Sequence, residues 1–165
     1  MSTRGRFIIN LIYKVVVNTD DMGSGNKLYV CAKNKDTGEY TLVNDKTYTV
    51  SKNGNVNISM SVKKKYVLLN EEEMRKLTDE ILETVQIQET KVTIKVNKKD
   101  KVVLADALNM KNVEEITYTS SDKKVATISK TGVIKGKKAG KAVIKVVVTL
   151  KNGATKTLKM RVVIK

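Results

Sequence analysis

The chain reads as a mainly β protein in two parts. A small antiparallel β domain with one C-terminal helix is expected over residues 1–89, and a two-sheet β-sandwich over residues 90–165. Three observations predict this. Apolar and polar residues alternate along most of the chain, the period of a half-buried strand. Over residues 70–86 that period gives way to apolar spacings of three and four, the period of a helix. Charge is also divided. Residues 1–89 carry 13 Lys and Arg against 12 Asp and Glu, whereas residues 90–165 carry 19 against 5, for a total of +15.

The first element is an apolar run over residues 6–17, interrupted by Asn10 and Lys14. Arg4 and Arg6 ahead of it imitate an export signal. The interruptions, and a polar segment where a small-residue cleavage site would stand, predict a strand and not a signal peptide. Residues 18–26 are polar and Gly-containing, a loop. Residues 27–33 alternate, with Leu28, Val30 and Ala32 on one face and Tyr29 and Cys31 on the other. Residues 34–38 end in Gly38 and predict a hairpin turn. Residues 39–43 return, Asn44 and Asp45 predict another turn, and residues 46–51 form a Thr, Tyr and Val strand. Residues 52–55 turn again, and Val56, Ile58, Met60 and Val62 then share a face. Five strands with turns every eight to twelve residues describe a small antiparallel sheet or sandwich.

Asn70 stands where a helix would be capped, and Glu73 three residues on completes a capping box. Glu71, Glu72 and Glu73 fill the first turn, where the helix dipole favours negative charge. Met74, Leu77, Ile81, Leu82 and Val85 make one apolar stripe, expected to pack on the N-terminal sheet. No Gly or Pro separates this helix from Thr90, so the two parts are expected to be closely coupled. From there the pattern is β throughout. Val92, Ile94 and Val96 share a face, residues 97–100 turn, and residues 102–104 form a strand. Residues 105–113 link to strands at 115–119, 125–129, 132–136, 142–150 and 155–165, with a hairpin turn at 151–154. Seven strands in some 75 residues suit a sandwich.

Within this part, Tyr118 leads into Thr119, Ser120 and Ser121. Val125, Ala126 and Thr127 follow, then Gly132 and Val133, then Ala139, Gly140, Ala142 and Ile144. That succession resembles the core motif of the bacterial immunoglobulin-like domain, group 2, and the resemblance covers residues 90–165. Tyr118 stands where the family often has Trp. Physical reasons stand beside the likeness. Gly132 and Gly140 supply turn conformations that a side chain opposes. Ala126 and Ala142 let the sheets approach. Val125, Ile128, Val133, Ile134, Val143 and Ile144 are the expected core.

Composition argues against an enzyme. His is absent, which removes the commonest general base. Cys31 is the sole cysteine, so no intrachain disulfide forms, and within a strand it reads as a small packed residue. There is no zinc-type His pair, phosphate-binding loop or nucleophile triad. Asp20, Asp21 and Glu39 lack the loop of a calcium site and read as solvated charges. Lys63, Lys64 and Lys65 beside Tyr66 read as a strand end. No cofactor and no metal are expected, and no segment approaches the roughly 18 apolar residues of a membrane helix. Lys135, Lys137, Lys138 and Lys141, grouped around Gly140, are the candidate polyanion contact. A basic domain attracts polyanions with an affinity that falls as salt rises.

The resemblance implies folded spacers and surface-binding modules. With no export signal predicted, the expectation is a bacteriophage structural protein assembled in the host cytoplasm. Its N-terminal domain would bind the major capsid protein or another virion protein, in many copies per particle. Its basic domain would be displayed as capsid decoration, with weak contact to anionic glycans or the cell surface and no membrane insertion. The alternatives are a phage tail-tube or fibre-associated subunit, and a bacterial cell-surface adhesin or wall-binding module.

Overall fold

Strands dominate the described residues (12–16, 25–53, 55–59 and 65–165 of the computed structural model), and the predicted β class holds. The chain divides into two units, residues 1–74 and 75–165. In the first, β1 (Ile12–Val16) pairs antiparallel with β4 (Asn55–Ser59). A three-stranded antiparallel sheet places β2 (Lys27–Lys33) between β3 (Tyr40–Thr49) and β5 (Lys65–Leu69). Leu28, Val30 and Val50 of this sheet region and Val56 and Ile58 of β4 form one buried cluster, with Tyr48, Tyr66 and Leu68 packed against it. Residues 6–11 of the first predicted strand, most of the predicted loop at 18–26, and Met60 and Val62 lie outside the described residues.

The turn expected at Asn44 and Asp45 is not a chain reversal. β3 runs through both positions, and the pairing slips there: Tyr29 faces Thr47, but Cys31 faces Leu42. The extra residues are accommodated as a bulge, which absorbs them without ending a strand.

The helix α1 (Glu71–Thr84) begins as predicted. The Asn70 N–H donates to the Glu73 carboxylate and the Glu73 N–H donates to Asn70 Oδ1, both at 2.9 Å, a reciprocal capping box. Its far end is held by the last hairpin of the chain. Lys156 Nζ donates to the Leu82 carbonyl at 2.6 Å, and Asn152 Nδ2 to Thr78 Oγ1 at 2.7 Å. The last turn of α1 contains no basic residue, and a distant lysine satisfies one of its open carbonyls. The division between units falls within the helix, whereas the sequence pattern draws it at residue 89.

The second unit contains seven strands: β6 (Lys91–Ile94), β7 (Lys99–Lys101), β8 (Val113–Ser120), β9 (Ala126–Ile128), β10 (Val133–Gly136), β11 (Gly140–Leu150) and β12 (Thr155–Ile164). A four-stranded sheet has the order β6-β12-β11-β8 and a three-stranded sheet the order β7-β10-β9. All pairs are antiparallel except β6 with β12. Ile134 and Ala126 of one sheet, and Ile144, Val146, Val162 and Ile164 of the other, supply the buried interior. The sheets approach closely at Gly136, where a Cβ would lie 3.0 Å from Ile164 Cδ1 and 3.1 Å from the Lys95 carbonyl. Gly132 has φ +78°, and the Tyr118 ring lies 3.1 Å from where its Cβ would be. Tyr118, paired with the buried Val146, thus packs its ring against the turn at Gly132, and burial pushes its phenol pKa up.

Two expectations are corrected. The strand placed at 102–104 forms instead at Lys99–Lys101, a charged triplet held by pairing with β10. Val102 is buried and donates its N–H to the Gly132 carbonyl at 2.9 Å, while Leu104 makes a lone bridge with Ile87. Val143, expected in the core, is 36% exposed. Ala142 and Ile144 point inward, so strand alternation turns Val143 outward.

Candidate interaction surface

Among the described residues, no three His, Cys, Asp or Glu side chains converge as metal ligands would. Cys31 is fully buried, and burial pushes its thiol up to about 11, so the thiolate nucleophile is suppressed. Glu39 accepts a hydrogen bond from Thr37 Oγ1 at 3.2 Å. Asp20, Asp21, Lys63 and Lys64 lie outside the described residues, and Lys65 and Tyr66 begin β5.

The four lysines singled out by sequence do not share one face. Lys135 points outward from β10, where its cross-strand neighbour is Lys99. Lys137 and Lys138 stand in the turn between β10 and β11, both backbone N–H groups reaching the Val125 carbonyl at 2.8 and 3.3 Å. Lys141 projects from β11 on the outside of the other sheet. All four are exposed, but the sandwich separates Lys135 from Lys141.

A denser cationic surface covers the outside of the four-stranded sheet. Inward-facing Ala142, Ile144, Met160 and Val162 dictate that Lys141, Val143, Lys145, Lys159 and Arg161 face out. Pairing sets Lys145 opposite Lys159 and Val143 opposite Arg161, and the parallel β6 sets Lys91 beside Arg161. A shallow depression of about 380 Å³ has Lys91, Ser121, Lys141, Val143, Arg161 and Val163 on its walls. A second, around Thr90, Lys91, Val143, Lys159 and Arg161, adjoins it.

Among the described residues these cations lack local counterions. The ion pair of Arg75 with Asp79, at 3.3 Å, lies within α1 and involves none of them. The acidic residue on the outer face, Glu115, sits at the far end of the sheet opposite Thr149. Like charges directly opposed across strands repel. Lys145 against Lys159 therefore costs the fold stability that an anion lying over the pair would return. Sequence reasoning misses this surface because Lys91, Lys145, Lys159 and Arg161 are far apart in the chain. The available signal is the turn at 151–154: folding the hairpin about it brings positions 145 and 159 together.

Residues 81–159 match the family model of the bacterial Ig-like domain, group 2, beginning inside α1 and ending within β12. No curated protein matches the chain significantly. The second unit therefore carries a bacterial Ig-like domain of group 2, a structural and binding fold.

Proposed function

We propose that this chain is an auxiliary structural protein of a bacteriophage particle, which anchors through its N-terminal unit and displays its Ig-like unit. The observation that carries the display role is the cationic outer sheet face without local counterions. The division of charge supports the same assignment of labour. Residues 1–74 hold 11 Lys and Arg against 8 Asp and Glu, and residues 75–165 hold 21 against 9. The less charged unit is the one suited to packing against a protein lattice, with the major capsid protein as its partner and many copies per particle. The strongly basic unit is suited to solvent and to anionic surfaces. Among the described residues no helix is long and apolar enough to cross a membrane.

Mass spectrometry of purified particles tests the reading. The chain is expected in high copy number, and cryo-electron microscopy should place its N-terminal unit on the capsid shell. Absence from the particle refutes it and favours a bacterial surface module. Density on the tail tube or fibre moves the assignment there.

A further inference from the structure

The outer face of the β6-β12-β11-β8 sheet has a composition that selects among anions. We propose that it binds a linear, ring-free phosphodiester polymer, a chain of polyol units joined by phosphates. This deepens the display role proposed above and rests on that reading.

Four observations support the choice. The face presents Lys91, Lys141, Lys145, Lys159 and Arg161, all exposed and, among the described residues, lacking the carboxylate partners that would neutralise them. Four of the five are lysines, compact and rotatable point charges that bind phosphate oxygens without demanding the planar bidentate geometry of arginine. No aromatic side chain of these four strands lies on the face: Tyr118 of β8 is turned toward Gly132 inside the sandwich. Bases bind flat protein surfaces by stacking on aromatic rings, and this surface offers none. Finally, the face is an open sheet and not a cleft. Lys159 and Arg161 stand about 7 Å apart along β12, Lys141 and Lys145 about 14 Å apart along β11 on either side of Val143, and the paired positions Lys145–Lys159 and Lys91–Arg161 about 5 Å apart between strands, spacings that follow from sheet geometry. A flexible chain with one phosphate per short repeat can lie across such a grid, and Val143 gives its methylene units an apolar contact at the centre.

The test uses the full chain and synthetic poly(glycerol phosphate) as the probe, with poly(dT) and a uronic-acid polysaccharide of equal charge as comparators. Affinity is measured by titration calorimetry from about 50 to 200 mM salt, the range over which such contacts weaken steeply. Poly(glycerol phosphate) should bind at least severalfold more tightly than either comparator. Its log K should fall with log salt at a slope of about −3, given roughly 0.7 per phosphate contact. The Lys145→Gln/Lys159→Gln variant should flatten that slope by about 1.4. The Lys99→Gln/Lys135→Gln variant, on the other sheet, should leave it unchanged. Circular dichroism establishes that both variants are folded. Equal affinity for all three polymers, no binding at the lowest salt, or equal loss in the two variants overturns the proposal. Tighter binding of poly(dT) or of the polysaccharide overturns it in favour of that class. Because the measurement is made on isolated protein, its failure leaves the particle assignment standing, and mass spectrometry tests that separately.

Discussion

Gly136 tests the description of the sandwich most directly. An alanine there would place its methyl carbon 3.0 Å from Ile164 Cδ1, 3.2 Å from Ile164 Cγ2 and 3.1 Å from the Lys95 carbonyl oxygen. Comfortable carbon–carbon separation is about 3.5–4.0 Å, so one strand must give way. Overpacking of this kind costs about 1–3 kcal/mol. Stiffening of the unfolded chain offsets about 0.4–1 kcal/mol of that cost. The net expectation for Gly136→Ala is a loss of about 1–2 kcal/mol, a fall in Tm on the order of 5–15 °C for a unit of this size. Differential scanning calorimetry of the full chain reads it, with an Ile144→Ala variant identifying the transition of the Ig-like unit. Ile164→Val removes the nearest clashing carbon and costs about 0.5–1.5 kcal/mol alone. Combined with Gly136→Ala it should be less damaging than the sum by about 0.5 kcal/mol or more, because the two sites touch. A Gly136→Ala protein as stable as its parent, or strict additivity in the pair, would refute the inter-sheet contact.

Other outcomes follow from single groups. Asn70→Ala breaks both bonds of the capping box and should cost about 1 kcal/mol, seen as faster hydrogen exchange in the first turn of α1. Lys156→Met keeps the aliphatic stem but removes the charged donor at the Leu82 carbonyl, an expected loss of roughly 1.5–3 kcal/mol. Exchange at residues 81–85 should accelerate while residues 71–74 stay unchanged. Cys31 titrates at about 11 in the folded chain against 9.0 for a free thiol. The folded state therefore holds its proton more tightly, and the stability linked to it is complete below pH 9 and declines as pH rises toward 11. Urea unfolding of Cys31→Ala and parent across that window should show a steeper decline in the parent; parallel curves would exclude the burial described.

The helix is legible in the sequence because its signals are local: a cap, an acidic first turn and a stripe at spacings of three and four. The hairpin of β11 and β12 is legible for the same reason, with long alternation on both sides of Asn152 and Gly153. What stays hidden is non-local. Residues 99–101 have no apolar signature, and only pairing with β10 makes them a strand. Asn44 and Asp45 carry a turn signal that the neighbouring strand converts into a bulge. Val143 is more apolar than Ala142, yet Ala142 is the buried one of the two. Position on the pleat, not hydrophobicity, decides which residue faces in. The cationic face shows the same limit. Its charges are visible one by one, but their gathering depends on the order of four strands. The four lysines near Gly140 are close in sequence, and the sandwich distributes them over two sides.

The parallel pairing of β6 with β12 has a mechanical consequence. Thr90, Ile94 and Val96 are tied to Arg161 and Lys165 by backbone bonds of 2.8–3.0 Å. Tension applied between residue 91 and residue 164 runs along these neighbouring strands in opposite senses. It loads their ladder in shear, so the bonds must rupture together, whereas a hairpin pulled open at its ends unzips one rung at a time. The unit is thereby suited to bearing force along the line that joins its first strand to its last.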